Sequence, residues 1–427
     1  MADGAMQSAA STVRDQQVDS RHIHRMTALH ITAGFLLGIS VIGIIVWVCW
    51  LVRTSLMRVG SKTVRDGLHL PAPEGGWPRL SIIVPVHNGE RLIDTCASSL
   101  RRLEYDTLEI IFVLDRCTDD TARLLAVHAA ADPRIVIVTN DTCPDDWAGK
   151  CHAAHLGAEQ ASGDWMLFTD ADTWFDPQLA RAAVALAGDR DLALLSLLST
   201  LTFDHFFEQV AQLAAAVKLL SLYPIERVNR SRRPRPFANG QFLLFRRDWY
   251  ERIGGHAALK DDLLEDIAAA KLVNGHGGHT AVVLSDGMLM CSMYESLAEF
   301  RQGWKRIFIE ACNRKPARLR KWAARTLVID VALPLVQLVT LASAPAVAFA
   351  GLVPLAVAMT LIVLTGWTVQ GAVLWRFCTM GRAPRPAILL YPIGCLIVGG
   401  IMLAGARDLK RRRPVIWGGK RYVLTPR

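Results

Sequence analysis

In the stretch WMLFTDADTWFDP, residues 165–177, an apolar run ends abruptly in Asp170, Ala171 and Asp172. Two carboxylates so close together, at the lip of a buried segment, repel each other and resist desolvation. They become favourable when a divalent cation lies between them. Mg2+ or Mn2+ takes hard oxygen ligands and fills its remaining positions with water and phosphate oxygens. A cation held that way is a Lewis acid for a phosphate leaving group. The pair also reads as solvated loop carboxylates, or as a capping cluster leading into Asp176 and Pro177. Its flanks, Trp165, Phe168, Trp174 and Phe175, favour the metal-binding reading.

Four further segments carry usable chemistry. Asp115 in FVLDRCTDDT follows an apolar run and can accept hydrogen bonds from a base or a ribose; it can equally cap a turn. In DWAGKCHAAHLGA, Gly149 gives backbone freedom and Lys150 opens a helix, where a diphosphate would meet both the lysine and the helix N-terminus. A surface lysine is the plainer alternative. His152 and His155 on that helix lack an evident third metal ligand, so packing or solvent exposure is expected. In LLEDIAAAKL, Glu265 and Asp266 precede an amphipathic helix. They either decorate its N-terminus, which the dipole favours, or supply a general base. In SLAEFRQGWKRIFIEACNRK, Leu297, Phe300, Trp304, Ile307 and Phe308 share one helical face, ringed by Arg301, Lys305 and Arg306. That pattern predicts an amphipathic helix on a membrane surface, which can also carry Trp304 and the cations under a site. NGHGGH (274–279) reads as a turn.

The elements that hold these residues alternate. Apolar, β-branched runs at 80–86, 109–114, 134–139 and 164–170 predict strands. Between and after them, HNGERLIDTCASSLRRL, TDDTARLLAVHAA with Thr118 as N-cap, CHAAHLGAEQA and PQLARAAVALA predict helices, the last with Pro177 in its first turn. This alternation predicts an α/β fold, a mostly parallel sheet covered by helices. Ligands bind such sheets beyond the carboxyl ends of the strands, where Asp115 and Asp170 fall.

The chain has 427 residues, of which 52% are hydrophobic and 20% charged. The apolar excess is localised to 28–52, about 327–375 and about 386–405. Runs of roughly 20 apolar residues fit a bilayer core. The first is too long for a signal-peptide core and shows no small-residue cleavage site, so it reads as an uncleaved anchor. Arg53, Arg58, Lys62 and Arg65 follow it, against Arg14, Arg21 and Arg25 before it. This slight bias puts the polar insert 54–325 on the cytoplasmic side. The tail RDLKRRRPVIWGGKRY is strongly basic and should share that side, which needs an even number of spans after the insert. Three apolar stretches are present; the segment 327–344, with Asp330 and Pro334, is expected to lie in the interface or re-enter, and the parity stays open. The net charge of +9 concentrates near the spans and in the tail, as attraction to anionic lipid would have it. No basic stripe interleaved with aromatics marks a nucleic-acid surface. Nine scattered cysteines without a C-x-x-C pair argue for a reducing compartment and against a zinc site.

The ordered set SIIVPVHN, LDRCTDDT, WAGKCHAAHLGA, FTDAD, FANGQFLLFRRDWYERIGGH, LLEDIAAAK and FRQGW-KR, over roughly 78–310, resembles the membrane-bound family-2 glycosyltransferases. It looks most like the carotenoid- and hopanoid-associated enzymes and, more distantly, ceramide glucosyltransferase; VIWGGKRY is similar to their C-terminal end. The resemblance implies an A-type nucleotide-sugar glycosyltransferase fold, Rossmann-like, with transmembrane helices. It implies a nucleotide-sugar donor, expected to be a UDP-sugar, a membrane lipid acceptor, Mg2+ or Mn2+, and inversion at the anomeric carbon. Asp115, Lys150, Trp304, Lys305 and Arg306 would serve the nucleotide and diphosphate, Asp170 and Asp172 the metal and diphosphate. Asn239, Gly240 and Gln241 would shape the donor-sugar and acceptor pocket. Asp266 would be the base, with Glu265 beside it. Two departures stand out: Leu114 replaces the first of two adjacent aspartates, and Phe300 and Gly303 replace polar positions in the motif before Trp304. These weaken a polymer-synthase reading, which stays an alternative beside a non-catalytic scaffold. The implied organisation is a tail 1–27, an anchor 28–52, a linker 53–77, a catalytic domain 78–295, an amphipathic interfacial region 296–325, a membrane region 326–405 of two or three helices, and a basic tail 406–427. The bacterial inner membrane, with the catalytic domain in the cytoplasm, is the expected location.

Overall fold

A computed structural model describes the backbone of residues 2–60, 63–73, 75–230, 234–260, 262–417 and 420–426. Within these, side chains are described from residue 25 onward, apart from 56–60 and 416. The charges expected to orient the anchor at Arg14, Arg21, Arg58 and Lys62 lie outside the described side chains.

Helix α1 covers Ala2–Gly60. The alternating region follows as β1 (Leu80–Val86), α2 (Ile93–Arg101), β2 (Leu108–Asp115), α3 (Thr121–Ala131), β3 (Ile135–Asn140), α4 (Gly149–Gln160) and β4 (Trp165–Phe168). Next come β5 (Thr173–Phe175), α5 (Leu179–Asp189), β6 (Leu194–Leu198), β7 (Thr200–Leu201), α6 (Phe206–Leu222) and α7 (Ile225–Val228). The domain continues through β8 (Leu243–Arg246), α8 (Arg247–Arg252), α9 (Glu265–Gly275), β9 (Thr280–Leu284), β10 (Leu289–Cys291) and α10 (Leu297–Ala311). The chain closes with α11 (Pro316–Leu327), α12 (Leu333–Phe349), α13 (Val353–Gly381), α14 (Ala387–Lys410), β11 (Val415–Trp417) and β12 (Lys420–Tyr422).

Two compact units result, one of Leu56–Ala324 with Phe377–Arg427 and one of Met1–Ser55 with Arg325–Arg376. In the larger, seven strands run in the order β3-β2-β1-β4-β8-β6-β9. The first four are mutually parallel; β8 is antiparallel to β4 and β6, and β9 is parallel to β6. This is the expected helix-covered, mostly parallel sheet. The register Val86 opposite Leu114 brings the carboxyl ends of β1 and β2 level, so the loops that follow emerge on one edge. Because β8 runs backwards, its pairing of Leu243 with Phe168 returns residues 239–241 to that same edge. The core under it is aliphatic: Leu80, Ile82, Val84, Ile110, Phe112 and Leu167 are all essentially inaccessible.

Small differences from the expected elements have local causes. β4 ends at Phe168, though the Thr169 N–H still donates to the Ile83 carbonyl of β1 at 3.1 Å and its hydroxyl donates to the Gln241 carbonyl at 2.7 Å. Thr118 does not cap α3; its N–H donates to Asn88 Oδ1 at 2.8 Å, and Asp120 stands at the cap position. Pro177 precedes α5 rather than opening it. Gly277 takes φ +84°, which suits the turn expected at 274–279.

Three residues of the apolar stripe of α10 are covered by protein, while Leu297 is 37% exposed and Ile307 half-buried. Phe300 and Phe308 are fully buried and Trp304 is 3% exposed. Phe300 meets Phe207 of α6 edge-on, with ring centroids 5.9 Å apart. At Phe300, Trp304 and Phe308 the face expected at a membrane surface is an internal one. In the smaller unit, Ala33 packs with Ala344, Val347, Ala356 and Met359, while the Arg376 guanidinium donates to the Leu51 carbonyl at 3.0 Å. Among the described residues, four helices are long and apolar enough to cross a membrane: 25–55, 316–349, 353–381 and 387–410. The segment 327–344 is continuous helix, through a π-turn at Val328–Ala332, and makes no re-entrant break.

Candidate active site

The site gathers at the sheet edge where β1, β2 and β4 end. Lys150, in the first turn of α4, bridges two carboxylates: its Nζ lies 2.7 Å from Asp170 Oδ1 and 2.7 Å from Glu265 Oε1. The Gly240 N–H donates to Asp266 Oδ2 at 2.8 Å. Gly240 explains how these groups come so close. A Cβ there would stand 3.1 Å from Lys150 Nζ, 3.4 Å from Asp266 Oδ2 and 3.5 Å from Glu265 Oε1. Asp172 completes the group; the Cys291 thiol of β10 donates to its Oδ1 at 3.5 Å.

Four carboxylates thus surround one lysine, and their titration shows the excess. Burial and the charge of Asp170 push Asp172 up to about 7. Burial and the charge of Glu265 push Asp266 up to about 7, against the pull of Lys150. Burial disfavours the charged forms of Lys150 and Glu265, but attraction overrides it: Asp170 and then Glu265 hold Lys150 well above the usual lysine value, and Lys150 holds Glu265 below the usual carboxylate value. A divalent cation against Asp170 and Asp172 would relieve the repulsion that raises Asp172. Two carboxylate ligands suit Mg2+ or Mn2+, which complete their shells with water and phosphate oxygens. Among the described residues no group of three or more His, Cys, Asp or Glu is placed to hold a metal ion by itself.

A cavity of about 510 Å³ opens beside the cluster, lined by Asp115, Lys150, Asp170, Asp172 and Arg306 among others. Arg306 supplies its positive wall. Its Nε and Nη1 are buried without hydrogen-bond partners, and its guanidinium carbon stands 4.1 Å over the Trp417 ring. Unpaired guanidinium N–H groups beside acidic residues suit a diphosphate, which accepts bidentate hydrogen bonds. Trp417 and Tyr422 come from the C-terminal β11–β12 hairpin and line the same cavity. The hairpin is anchored there: Tyr422 Oη accepts from the Gly149 N–H at 3.2 Å, and Lys420 Nζ donates to the carbonyls of Pro144 at 2.9 Å and Trp147 at 3.0 Å.

The residues singled out in sequence divide into groups. Asp115, Lys150, Asp170, Asp172, Gln241 and Arg306 line the cavity, with Glu265, Asp266 and Gly240 packed around Lys150. Asp115 is already engaged: Arg116 grips both oxygens at 3.0 and 2.6 Å, and Asn140 donates to one at 2.8 Å. Trp304 and Asn239 instead line a second, apolar cavity, which Gln241 also borders. Lys305 points elsewhere, to Asp408 of α14 at 2.8 Å. His152 and His155 pack on Trp147, as expected. Sequence reasoning missed Arg116 and Tyr294, which also line the cavity, and the placement of Trp417 and Tyr422 on it. For the hairpin the signal was the VIWGGKRY resemblance, which carries no hint of where the segment docks.

The chain is similar to several known proteins. It is 29% identical over 98 residues to glycosyltransferase GlyA of Streptococcus pneumoniae, covering 23% of this chain and 13% of that protein. It is 32% identical over 95 residues to a GalNAc(5)-diNAcBac-PP-undecaprenol beta-1,3-glucosyltransferase of Campylobacter jejuni, covering 22% and 30%. The chain therefore spans less than a third of the length of these curated relatives. Among solved structures it resembles the mannosyltransferase PcManGT from Pyrobaculum calidifontis, in complex with GDP-Man and Mn2+, at 18% identity and a TM-score of 0.45, over 84% of this chain and 99% of that one. Residues 81–254, which hold β1 to β8 and with them Asp115, Lys150, Asp170 and Asp172, match the family model described as Glycosyl transferase family 2.

Proposed function

We propose that this protein is an inverting glycosyltransferase that moves a sugar from a nucleotide-sugar donor, a UDP-sugar, to a hydroxyl of a membrane lipid. We infer that it works at the cytoplasmic face of a bacterial inner membrane. One observation carries the reading: an acidic cluster and an arginine with unpaired N–H groups line one cavity, beside a half-buried aspartate whose carboxyl is pushed up to about 7. The family match over 81–254 supports the reaction class. The long apolar helices support a membrane acceptor, as does the undecaprenol-linked substrate in the name of the Campylobacter jejuni relative.

In this mechanism Asp115 and Trp417 hold the nucleoside end of the donor, with the Arg116 grip on Asp115 loosening to admit it. Arg306 donates to the diphosphate. Asp170 and Asp172 would hold Mg2+ or Mn2+, which supplies Lewis-acid stabilisation of the leaving diphosphate when bound. Lys150 pairs with Asp170 and Glu265, holding both in place and Glu265 ionised. Asp266, fixed by the Gly240 N–H, takes the proton from the acceptor hydroxyl. The acceptor oxygen bonds to the anomeric carbon as the carbon–diphosphate bond breaks, and attack from the opposite face inverts that centre.

Incubating membranes containing the protein with a panel of radiolabelled nucleotide-sugars tests this reading. Label should enter the organic-extractable lipid fraction with one donor. Label found only in long water-soluble polymer would replace the lipid acceptor with a polysaccharide. No transfer from any donor would contradict the reaction class.

A further inference from the structure

The segment Asn239, Gly240 and Gln241 braces both halves of the site. The Gly240 N–H holds Asp266, and Gln241 beside it begins a hydrogen-bonded chain that ends on Asp172. The Gln241 amide nitrogen donates to Cys291 Sγ at 3.0 Å, and the Cys291 thiol donates to Asp172 Oδ1 at 3.5 Å. The sulfur accepts from Gln241 and an ionised carboxylate only accepts, so the thiol hydrogen belongs to the contact with Asp172.

Strand β6 anchors this chain. Gln241 Oε1 accepts from the Ser199 hydroxyl and, at 3.2 Å, from Asn239 Nδ2. Those contacts fix which end of the Gln241 amide faces the sulfur. Asn239 Nδ2 also donates to the Leu197 carbonyl of β6 at 2.9 Å, and the Asn239 N–H donates to Ser196 Oγ at 2.8 Å. Cys291 is fully buried and Gln241 is 6% exposed. Cys291 ends β10, opposite Thr173 of β5, and the next N–H, that of Ser292, donates to the Asp172 carbonyl at 3.1 Å. The end of β10 therefore grips Asp172 by its main chain and by its side chain. A buried polar network whose members are satisfied holds one arrangement.

The consequence falls on metal binding. Cys291 engages Oδ1 of Asp172, and Lys150 Nζ engages Oδ1 of Asp170 at 2.7 Å. Each aspartate is left its Oδ2. Two single-oxygen ligands leave most of an octahedral shell to water and phosphate, as Mg2+ and Mn2+ favour. Outer partners of a ligating carboxylate orient it and tune its affinity.

We propose that Cys291 is a positioning residue for the divalent cation: its thiol, aimed by Gln241, holds Asp172 with one oxygen free for the metal. Resting on the reading that Asp170 and Asp172 hold Mg2+ or Mn2+, this adds a residue that acts on the metal through Asp172.

The test is Mn2+ binding to the purified full-length protein in detergent, without donor or acceptor, followed by the EPR signal of free Mn2+. Asp172→Ala defines the site, since the binding it removes is the binding at issue. Cys291→Ala should raise the Kd there about tenfold, as loss of an outer-shell partner does. Cys291→Ser should restore most of the affinity, because its hydroxyl accepts from Gln241 and donates to Asp172 as the thiol does. Gln241→Leu leaves Cys291 in place and should also raise the Kd, which keeps a readout if the alanine variant loses its fold. Metal-free Tm, measured alongside, reports any such loss. Wild-type affinity in Cys291→Ala or Gln241→Leu, or equal weakening by Cys291→Ala and Cys291→Ser, overturns the proposal while the metal reading stands. Undiminished Mn2+ binding by Asp172→Ala overturns the metal reading and the proposal with it.

Discussion

Asp266 illustrates how few groups decide the chemistry. Its carboxyl is pushed up to about 7 by burial and by Glu265, while Lys150 restrains the rise. A base must be ionised to accept a proton, so kcat should fall about tenfold per pH unit below about 7, following the protonation equilibrium. A pH–rate profile at saturating donor checks this; a flat profile down to pH 5 would remove Asp266 from the proton transfer. The stability consequence has the opposite sign. A carboxyl raised in the folded state stabilises fully below the ordinary aspartate value and loses that contribution as pH rises through about 7. At this scale the acidic residues were legible in sequence because carboxylates at strand ends and helix starts need a reason to be there. Arg306 was legible as a cation near the site, yet its partner was not. Its stacking on Trp417 joins residues about a hundred positions apart, and no local periodicity reports such a contact.

The elements decide which of those residues meet. β1 was read at its observed bounds and β2 and β3 within one residue, since short β-branched runs leave little latitude, β1 and β2 being buried on both faces and β3 lying at the sheet edge. The backward course of β8 was not legible: an apolar run of four residues says nothing of its direction, although that direction returns Asn239 to Gln241 to the site. Nor was the burial of the α10 stripe, because an amphipathic face suits a bilayer or a protein neighbour equally well. The C-terminal hairpin is the element with the plainest functional consequence. Trp417→Ala would remove the face on which Arg306 stacks, a contact worth roughly 0.5–2 kcal/mol. Donor KM should rise about two- to thirtyfold on that basis, with kcat little changed. Steady-state kinetics in donor separate the two; an unaltered KM would detach the hairpin from the donor site. At the back of the domain, a Cβ on Gly394 of α14 would collide with the Val210 carbonyl of α6. Gly394→Val should therefore separate these helices and cost about 1–3 kcal/mol, read as a lowered Tm.

The whole chain has a topology that follows from the hairpin. Trp417 and Tyr422 line the cavity that holds Asp170, so the tail and the catalytic sheet share one side of any membrane. The crossings between them must be even in number, yet three of the four candidate spans lie there. α14 is the one to set aside. It packs Gly394 against α6, holds Lys305 through Asp408, and buries 44% of its apolar window, against 22% and 33% for the two spans before it. Its other face, with Leu389, Ile393 and Leu396 exposed, suits the membrane interface. We propose that helices 316–349 and 353–381 cross as a hairpin, an even number of crossings between the catalytic sheet and the tail. Reporter fusions should place residue 427 on the cytoplasmic side and a tag inserted at Gly351 on the opposite side. Both tags on one side would contradict this arrangement.

The central claim is that Asp266 takes the acceptor's proton in a sugar transfer to lipid. Its most direct test is Asp266→Asn in the purified protein, with donor binding and transfer to extracted lipid measured side by side. The asparagine oxygen can still accept from the Gly240 N–H, so the pocket should persist. The account predicts donor binding within about twofold of wild type and transfer reduced by a factor of about 10² to 10⁴, the usual worth of a general base. Unimpaired transfer by Asp266→Asn would contradict it.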